Sequence, residues 1–598
     1  MCLKPKPLSP IPEETRHLAQ QLYAPDHPLR RLGEEYADFV RDEDFIDLYS
    51  HTGQPALSPW LLALVTVLQA MEHCSDRLAA EMVRSRIDWK YALHLPLAYP
   101  GFDPSVLCEF RQRLVAHQAQ RRIFDALLQR FKDKGLLKGR AVQRTDSMAI
   151  MTSVRELNRL ELVMETLRLA LEAIAKADLH WIRSHVPAQW LETYGSWTQG
   201  ERLIRETGAL AATETRRLIL QTGQDGFALL DALEAADGAA LRSLNAVVLL
   251  RTVWSQQYQR TDLHTSVTPL DGTGVQHERL AEPSEEPGAT PKDAQPASLQ
   301  LQPASAIDDG QRRHILVTPH DPQARRATKR GLFWNGYKLH LTETAAEDAP
   351  LVITDLEVGA AAAYDCHALA AIQERLHTRD LLPATHLADA GYVNGPTLHH
   401  SQERHVELLG PVPADTYGTF RQERIWAAEA FEIDVENRHA TCPGGHSNRR
   451  WSVYHRSGGE DRDLIALLWD KQVCQRCPLK NRCLPAGQSH RVLRLSRYYT
   501  LLTARRREQK TPAFRERYRR RAGVEATFSH LVNVQGARRT PYRGPDKTLG
   551  YYAALATAVN LRRVVAWQVG ERPKRERRSR LHRILMEWSA QAAHPTAV

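Results

Sequence analysis

The chain has 598 residues, with 80 Lys plus Arg against 70 Asp plus Glu, so its formal charge is +10. Apolar residues make up 42% and charged residues 25%, which excludes a disordered chain, and eight cysteines exclude a disulfide-stapled secreted scaffold. At roughly 100–200 residues per domain, about three to five structural units are expected.

The first twenty residues contain no apolar h-region, so no signal peptide is expected and the protein is placed in the cytoplasm. Up to about residue 138 the pattern predicts short helices. Ser58-Pro59 offers an N-cap and a first-turn proline ahead of the apolar run WLLALVTVLQAM, which is too short to span a bilayer and reads as a buried helix. Asp103-Pro104 repeats that signal. Such helices, with Arg84, Arg86, Arg111 and Arg113 between them, suit a helix-turn-helix-like DNA-binding unit or a dimerisation domain.

GRAVQRTDSMAI from Gly139 predicts a strand that ends in a polar turn near Asp146. About a hundred residues of helical spacing follow, from Leu157 to Tyr258. Between Tyr258 and Phe333 there is no aromatic residue, and Pro283, Pro287, Pro291, Pro296 and Pro303 mark a linker. GLFWNGYKLHLTET and PLVITDLEV then predict a hairpin. Residues 365–378 predict a helix between it and two buried strands, THLADAGY and HVELLGPV, the arrangement of a crossover in a parallel or mixed sheet. A β-rich stretch with a hairpin at Glu436-Asn437 precedes a helical end from about Thr511 to Val564. Residues 505–521 hold nine bases against two acids, and 571–583 seven against two, the electrostatic footprint of a phosphate-backbone partner.

Three acids stand out by context. Asp146 and Asp389 each end a predicted strand, and Glu525 lies on a helix with Tyr518 and Arg521 at offsets that share one face. Two strand-end carboxylates and one helical carboxylate can converge at the carboxyl edge of a sheet, where Mg²⁺ finds the hard oxygen ligands it prefers.

Tyr518, Arg521 and Glu525 read Tyr-x2-Arg-x3-Glu, which resembles the signature of DDE transposases from bacterial insertion sequences. TDS at 145–147, GYKLHLTET at 336–344, LADAGYV at 387–393, CPLKNRC at 477–483 and PYRGPDKT…NLRR at 541–563 are similar, in order, to the 1182 group of those elements. The resemblance implies an α/β, RNase H-like mixed-sheet core in which Asp146, Asp389 and Glu525 bind two Mg²⁺ ions, with Mn²⁺ as a substitute. Tyr518, Arg521 and Lys338 would hold DNA near them. Where the signature continues with a base, this chain has Val532: either Arg538 and Arg539, the nearest downstream bases, supply that phosphate contact, or this copy is weakened.

Cys442, Cys474, Cys477 and Cys483 form C-x31-C-x2-C-x5-C, a set that suits a structural zinc, or less well an iron–sulfur cluster, with His446 able to replace one ligand. The expected organisation is a helical N-terminal DNA-binding or dimerisation domain at 1–138, the first core strand at 139–156 and a helical insertion at 157–275. A Pro-rich linker at 276–330, the continued core at 331–415 and a β-rich cysteine insertion at 416–500 follow. The catalytic helix and end of the core occupy 501–565, and a basic tail 566–598. The expected activity is a transposase that cleaves the ends of its element and joins them to target DNA. Its partners are double-stranded DNA, as terminal inverted repeats and target, and a second copy of itself, with no membrane. A nuclease without strand transfer and a non-catalytic DNA-binding regulator are the alternatives.

Overall fold

The computed structural model describes residues 1–195, 212–261, 298–301, 315–329, 331–346, 348–413, 426–455, 463–485 and 487–570. Most of the expected linker and nearly all of the basic tail lie outside the described residues. The architecture is mixed α/β. Six strands make the central sheet: β1 (Gln143–Met151), β4 (Arg325–Lys329), β5 (Leu332–Thr344), β6 (Ile353–Ala360), β7 (Thr385–Ala388) and β8 (Glu407–Leu409). Strands β2 (Tyr258–Thr261) and β3 (Ser298–Leu301) form a separate pair. The order across the central sheet is β4-β5-β1-β7-β8, with β6 also on β5. The helix Cys366–Thr378 crosses over from β6 to β7.

Strand β1 is central and its two edges differ. It runs antiparallel to β5 along its whole length, from Gln143↔Thr344 to Met151↔Gly336. Its parallel pairing with β7 ends after three residues, at Thr145↔Ala388. At the far end the Met151 amide donates to Arg538 O and the Thr540 amide donates to Met151 O, both at 2.9 Å. Between these ends, among the described residues, that edge of β1 has no strand beside it. Asp146, expected at a strand end, is therefore inside a nine-residue strand, because only its parallel partner stops there.

The helix Pro59–Glu72 forms as its sequence dictates: Ser58 Oγ accepts from the Leu61 amide, and His73 closes the end at φ 55°. Eleven of its residues are buried, which requires neighbours on nearly every side. The long helix Pro545–Gln568 is one of them, and it packs its other side on β6. The N-terminal helices thus share one continuous core with the sheet, running from Leu64 and Leu68 through Leu555 to Ile353 and Leu339. The helical region after β1 has its own core, around Leu160, Val163, Leu167 and Trp254.

Strands β9 (Glu432–Asp434) and β10 (His439–Thr441) form a hairpin. Strands β11 (Arg450–Tyr454), β12 (Leu464–Leu468) and β13 (Val492–Ser496) form an antiparallel sheet, and Phe431, Leu467, Trp469 and Leu493 fill the core that joins the two. Arg491, buried within this module, donates to Cys483 O at 2.8 Å and Trp426 O at 2.7 Å.

Two further expectations are corrected. Arg325–Lys329, taken as linker, is the edge strand β4: four of its five residues are charged or polar and only Ala327 is buried, so its sequence has no strand pattern. The helix expected to carry Tyr518, Arg521 and Glu525 is broken into Pro512–Arg519, a 3-10 turn at Arg520–Gly523, and Val524–Asn533. The break has a cause in the sheet. Arg144 Nη1 donates to Arg520 O at 2.8 Å, and a Cβ on Gly523 would lie 2.1 Å from that same nitrogen.

Candidate active site

Thr145 and Ala388 are the last parallel pair of β1 and β7, so Asp146 and Asp389 are the next residues on two adjacent strands. Parallel pairing puts them at one level of the sheet, at the carboxyl end of β7, where open α/β sheets place their sites. Asp146 is 8% exposed. One of its oxygens accepts from the Ser147 amide at 2.8 Å and the other from Arg521 Nη1 at 2.7 Å. Burial pushes its carboxyl above the usual range; the Ser147 amide and Arg521 pull it back. Asp389 accepts from the Gly391 amide at 2.9 Å.

Glu525 joins Asp146 through Arg521, with 68% of its own side chain exposed. Arg521 Nη2 donates to its Oε1 at 3.2 Å, so one guanidinium bridges Asp146 and Glu525. Tyr518 is stacked on Phe514 with ring centroids 5.6 Å apart, and its hydroxyl titrates high because it is buried, with Arg521, Asp389 and Asp146 near it. Tyr518, Arg521 and the three acids are therefore brought together.

Lys338, expected to help hold DNA near the acids, makes its hydrogen bonds within the protein. Its ammonium donates to Asp365 Oδ1 at 2.8 Å and Ala363 O at 2.6 Å, and only 14% of the side chain is exposed. Asp365 is an acid of the site that sequence reasoning missed. Ser147 Oγ donates to it at 3.2 Å, and a Cβ on Gly391 would lie 3.0 Å from Asp365 and 3.1 Å from Asp389. Gly391 is what lets the two carboxylates approach the same backbone. In sequence Asp365 reads as an ordinary helix-start residue, and no local signal marks it. Tyr392 lies beneath the acids: its hydroxyl is 2.6 Å from His340 Nδ1, and burial beside Asp365, Asp146 and Asp389 keeps it protonated.

Arg538 and Arg539 are exposed and flank the far end of β1, where Arg538 Nη1 donates to Ala149 O and Arg539 Nη1 to Thr152 O. Arg539 bridges Met151, five residues beyond Asp146, or roughly 16 Å along the strand. Val532 is packed against the main core, so the absence of a base there costs the acids no direct partner.

The four clustered cysteines come together at one end of the β-rich module. The Cα of Gly444 lies between Cys477 and Cys442: a Cβ there would be 3.4 and 3.7 Å from their sulfurs and 3.6 Å from the His446 ring. Burial first, and then the three other thiols, push Cys483 up to about 11 against the pull of Arg491. All four are free thiols. Among the described residues, no three His, Cys, Asp or Glu side chains are arranged as a metal-holding group, so neither zinc nor an iron–sulfur cluster finds support in the geometry. No helix among the described residues is long and apolar enough to cross a membrane.

Residues 441–565 match the model of a transposase DDE domain, and residues 16–113 match that of a transposase domain, DUF772. The first match spans the cysteines, Tyr518, Arg521 and Glu525; Asp146 and Asp389 lie outside both. No curated protein and no solved structure matches the chain. The two matches, at opposite ends of a chain whose ends share one core, support a DDE transposase family for this protein.

Proposed function

We propose that this protein is a DNA transposase of the 1182 group, with an RNase H-like core in which Asp146, Asp389 and Glu525 form the catalytic triad. The observation that carries this reading is the register of β1 and β7, which sets Asp146 beside Asp389, together with the Arg521 guanidinium that joins Asp146 to Glu525.

Transposase DDE domains generally use divalent metal ions. The donor types suit Mg²⁺ or Mn²⁺: three carboxylates from three elements lie around Arg521, whose guanidinium bridges two of them, although among the described residues they are not drawn together into a closed metal-holding group. Asp146, Asp389 and Glu525 would hold two such ions, which supply Lewis-acid activation of the attacking and leaving oxygens in phosphodiester chemistry. Arg521 orients Asp146 and offers a forked donor to a phosphate. Tyr518, fixed on Phe514, lines the approach of the DNA strand. Lys338 holds Asp365 in place, and Gly391 leaves room between that acid and Asp389. Arg538 and Arg539 lie far enough along β1 to meet the DNA backbone beyond the cut. The partners in this reading are terminal repeats, target DNA and a second copy of the chain.

The test is incubation of the full chain with DNA carrying the flanks of its own gene, with and without Mg²⁺. Cleavage followed by joining to a second DNA is expected. Asp146→Asn and Asp389→Asn should each lower cleavage by orders of magnitude while binding persists, since phosphate contacts carry most of the affinity. Near-normal cleavage by either variant would overturn the triad. Cleavage without joining would leave a nuclease, and binding without cleavage a regulator.

A further inference from the structure

A cleft of about 1070 Å³ opens between the helical region after β1 and the edge of the sheet, and one end of it reaches Gly391 and Asp365, beside Asp389. Its lining includes Arg326, Lys329 and Phe333 from the hairpin of β4 and β5. Phe333 is 61% exposed, the most exposed of the large apolar side chains among the described residues. A single exposed aromatic ring needs no explanation. This one has a cation on it: Arg326 Cζ is 5.2 Å from the ring centroid, while its Nη1 is 3.6 Å from Glu156. Phe333 is paired with Thr328 and Lys329 with Leu332, so Lys329 does not share the face of the ring, but both side chains line the same cleft at the end of the hairpin. Lys329 is exposed and has no ion-pair partner among the described residues, and its charge is felt at Asp146. A ring with cations beside it, at the mouth of a cleft leading to recessed acids, is the composition of a site for unpaired nucleic acid. Bases present their faces for stacking only when they are unpaired, and cations follow the backbone. Asp146, at 8% exposure, is also more accessible to one strand than to a duplex whose two backbones both face outward.

We propose that this cleft takes an unpaired segment of DNA strand next to the acids, with a base stacked on Phe333 and neighbouring phosphates held by Arg326 and Lys329. The inference rests on the assignment of Asp146 and Asp389 as the active site, and it adds that the strand is separated from its complement there. A duplex held only through its phosphates would need the cations but not the ring.

The experiment measures binding of the full chain to a labelled oligothymidylate and to a labelled duplex, in EDTA so that no cleavage intervenes. Phe333→Ala should weaken oligothymidylate binding by about five- to a hundredfold, the range for loss of one base–aromatic stack, and leave duplex binding unchanged. Phe333→Trp should restore it. Arg326→Ala and Lys329→Ala should each reduce the salt dependence of oligothymidylate binding by about 0.7 in log–log slope. Because Phe333 is exposed, these variants should keep the melting temperature of the parent chain. Wild-type oligothymidylate binding by Phe333→Ala, or an equal loss for single strand and duplex, would overturn the proposal. Failure of the active-site reading looks different: cleavage in Mg²⁺ would survive Asp146→Asn, whatever Phe333→Ala does to strand binding.

Discussion

Arg144 and Glu343 are directly paired across β1 and β5, and Arg144 Nε and Nη2 both donate to the same Glu343 oxygen, at 2.8 and 2.6 Å. The other oxygen accepts from Thr527 Oγ1 at 2.6 Å and Arg563 Nη1 at 3.0 Å. One fully buried carboxylate therefore ties the strand of Asp146 to the helix of Glu525 and to the long helix Pro545–Gln568. Glu343→Gln keeps the shape but leaves two arginines short of charge in the core. Removing one partner of a buried pair costs about 3–5 kcal/mol. Urea unfolding at neutral pH measures it. A loss no larger than that of an exposed pair, about 1 kcal/mol at most, would mean that packing alone holds the two elements together.

Arg521 is 15% exposed and bonded to two of the proposed catalytic acids. Arg521→Ala should lower cleavage by about 10²–10³, the effect of removing one fixed donor from a charge-stabilising site. Arg521→Lys should recover only part, because an ammonium is a point charge where the guanidinium is a fork spanning Asp146 and Glu525. Melting temperatures taken alongside cleavage rates decide the role. A lower melting temperature with unchanged cleavage would return Arg521 to scaffolding.

The pH dependence of stability has an identifiable source. His386 is buried in β7, with Nε2 2.6 Å from Thr145 Oγ1, and burial pushes its imidazole down to about 4 from an ordinary 6.5. The folded chain thus keeps His386 neutral where the unfolded chain takes up a proton. Its contribution is complete above about pH 6.5 and is lost as pH falls towards 4, to a total of about 3 kcal/mol. His340, also pushed down to about 4 by burial, acts in the same window. Unfolding free energies measured between pH 7.5 and 4.5 should fall with acidification. His386→Gln should remove about 1.4 kcal/mol per pH unit from that slope. An unchanged slope would show that His386 is protonated in the folded chain.

The cysteine module allows a direct measurement. The spacing of Cys442, Cys474, Cys477 and Cys483 alone leads to the expectation of about one zinc per chain in anaerobically purified protein, although among the described residues the thiols are not arranged as a metal-holding group. Elemental analysis tests this, and a brown protein would indicate an iron–sulfur cluster instead. With zinc bound, Cys477→Ser should lower both the metal content and the melting temperature of the module. Protein without metal, and equally stable with Ser at 477, would leave the thiols as packing residues.

What the sequence by itself determined is local. Ser58-Pro59 starts a helix because a hydroxyl caps the Leu61 amide, and the alternation in GYKLHLTET marks a strand, which the fold then buries on both faces. The acids were legible as candidates because Asp146 and Asp389 fall at the ends of predicted strands and Glu525 on a helix among arginines, and Arg521 with Glu525 because four residues separate them. Tertiary structure alone decided what those candidates meet. Nothing near Asp365 in sequence announces that it lies beside Asp389, and nothing near Lys338 announces that its ammonium bonds to Asp365. The polar strand Arg325–Lys329 forms because β5 offers it a free edge of backbone donors and acceptors, which no side-chain pattern records. The 3-10 turn before Glu525 exists because Arg144, some 376 residues away, takes the Arg520 carbonyl. Periodicity and capping act over one or two turns of chain, whereas the site is set by strand register and buried charge, which depend on residues brought together only in the folded chain.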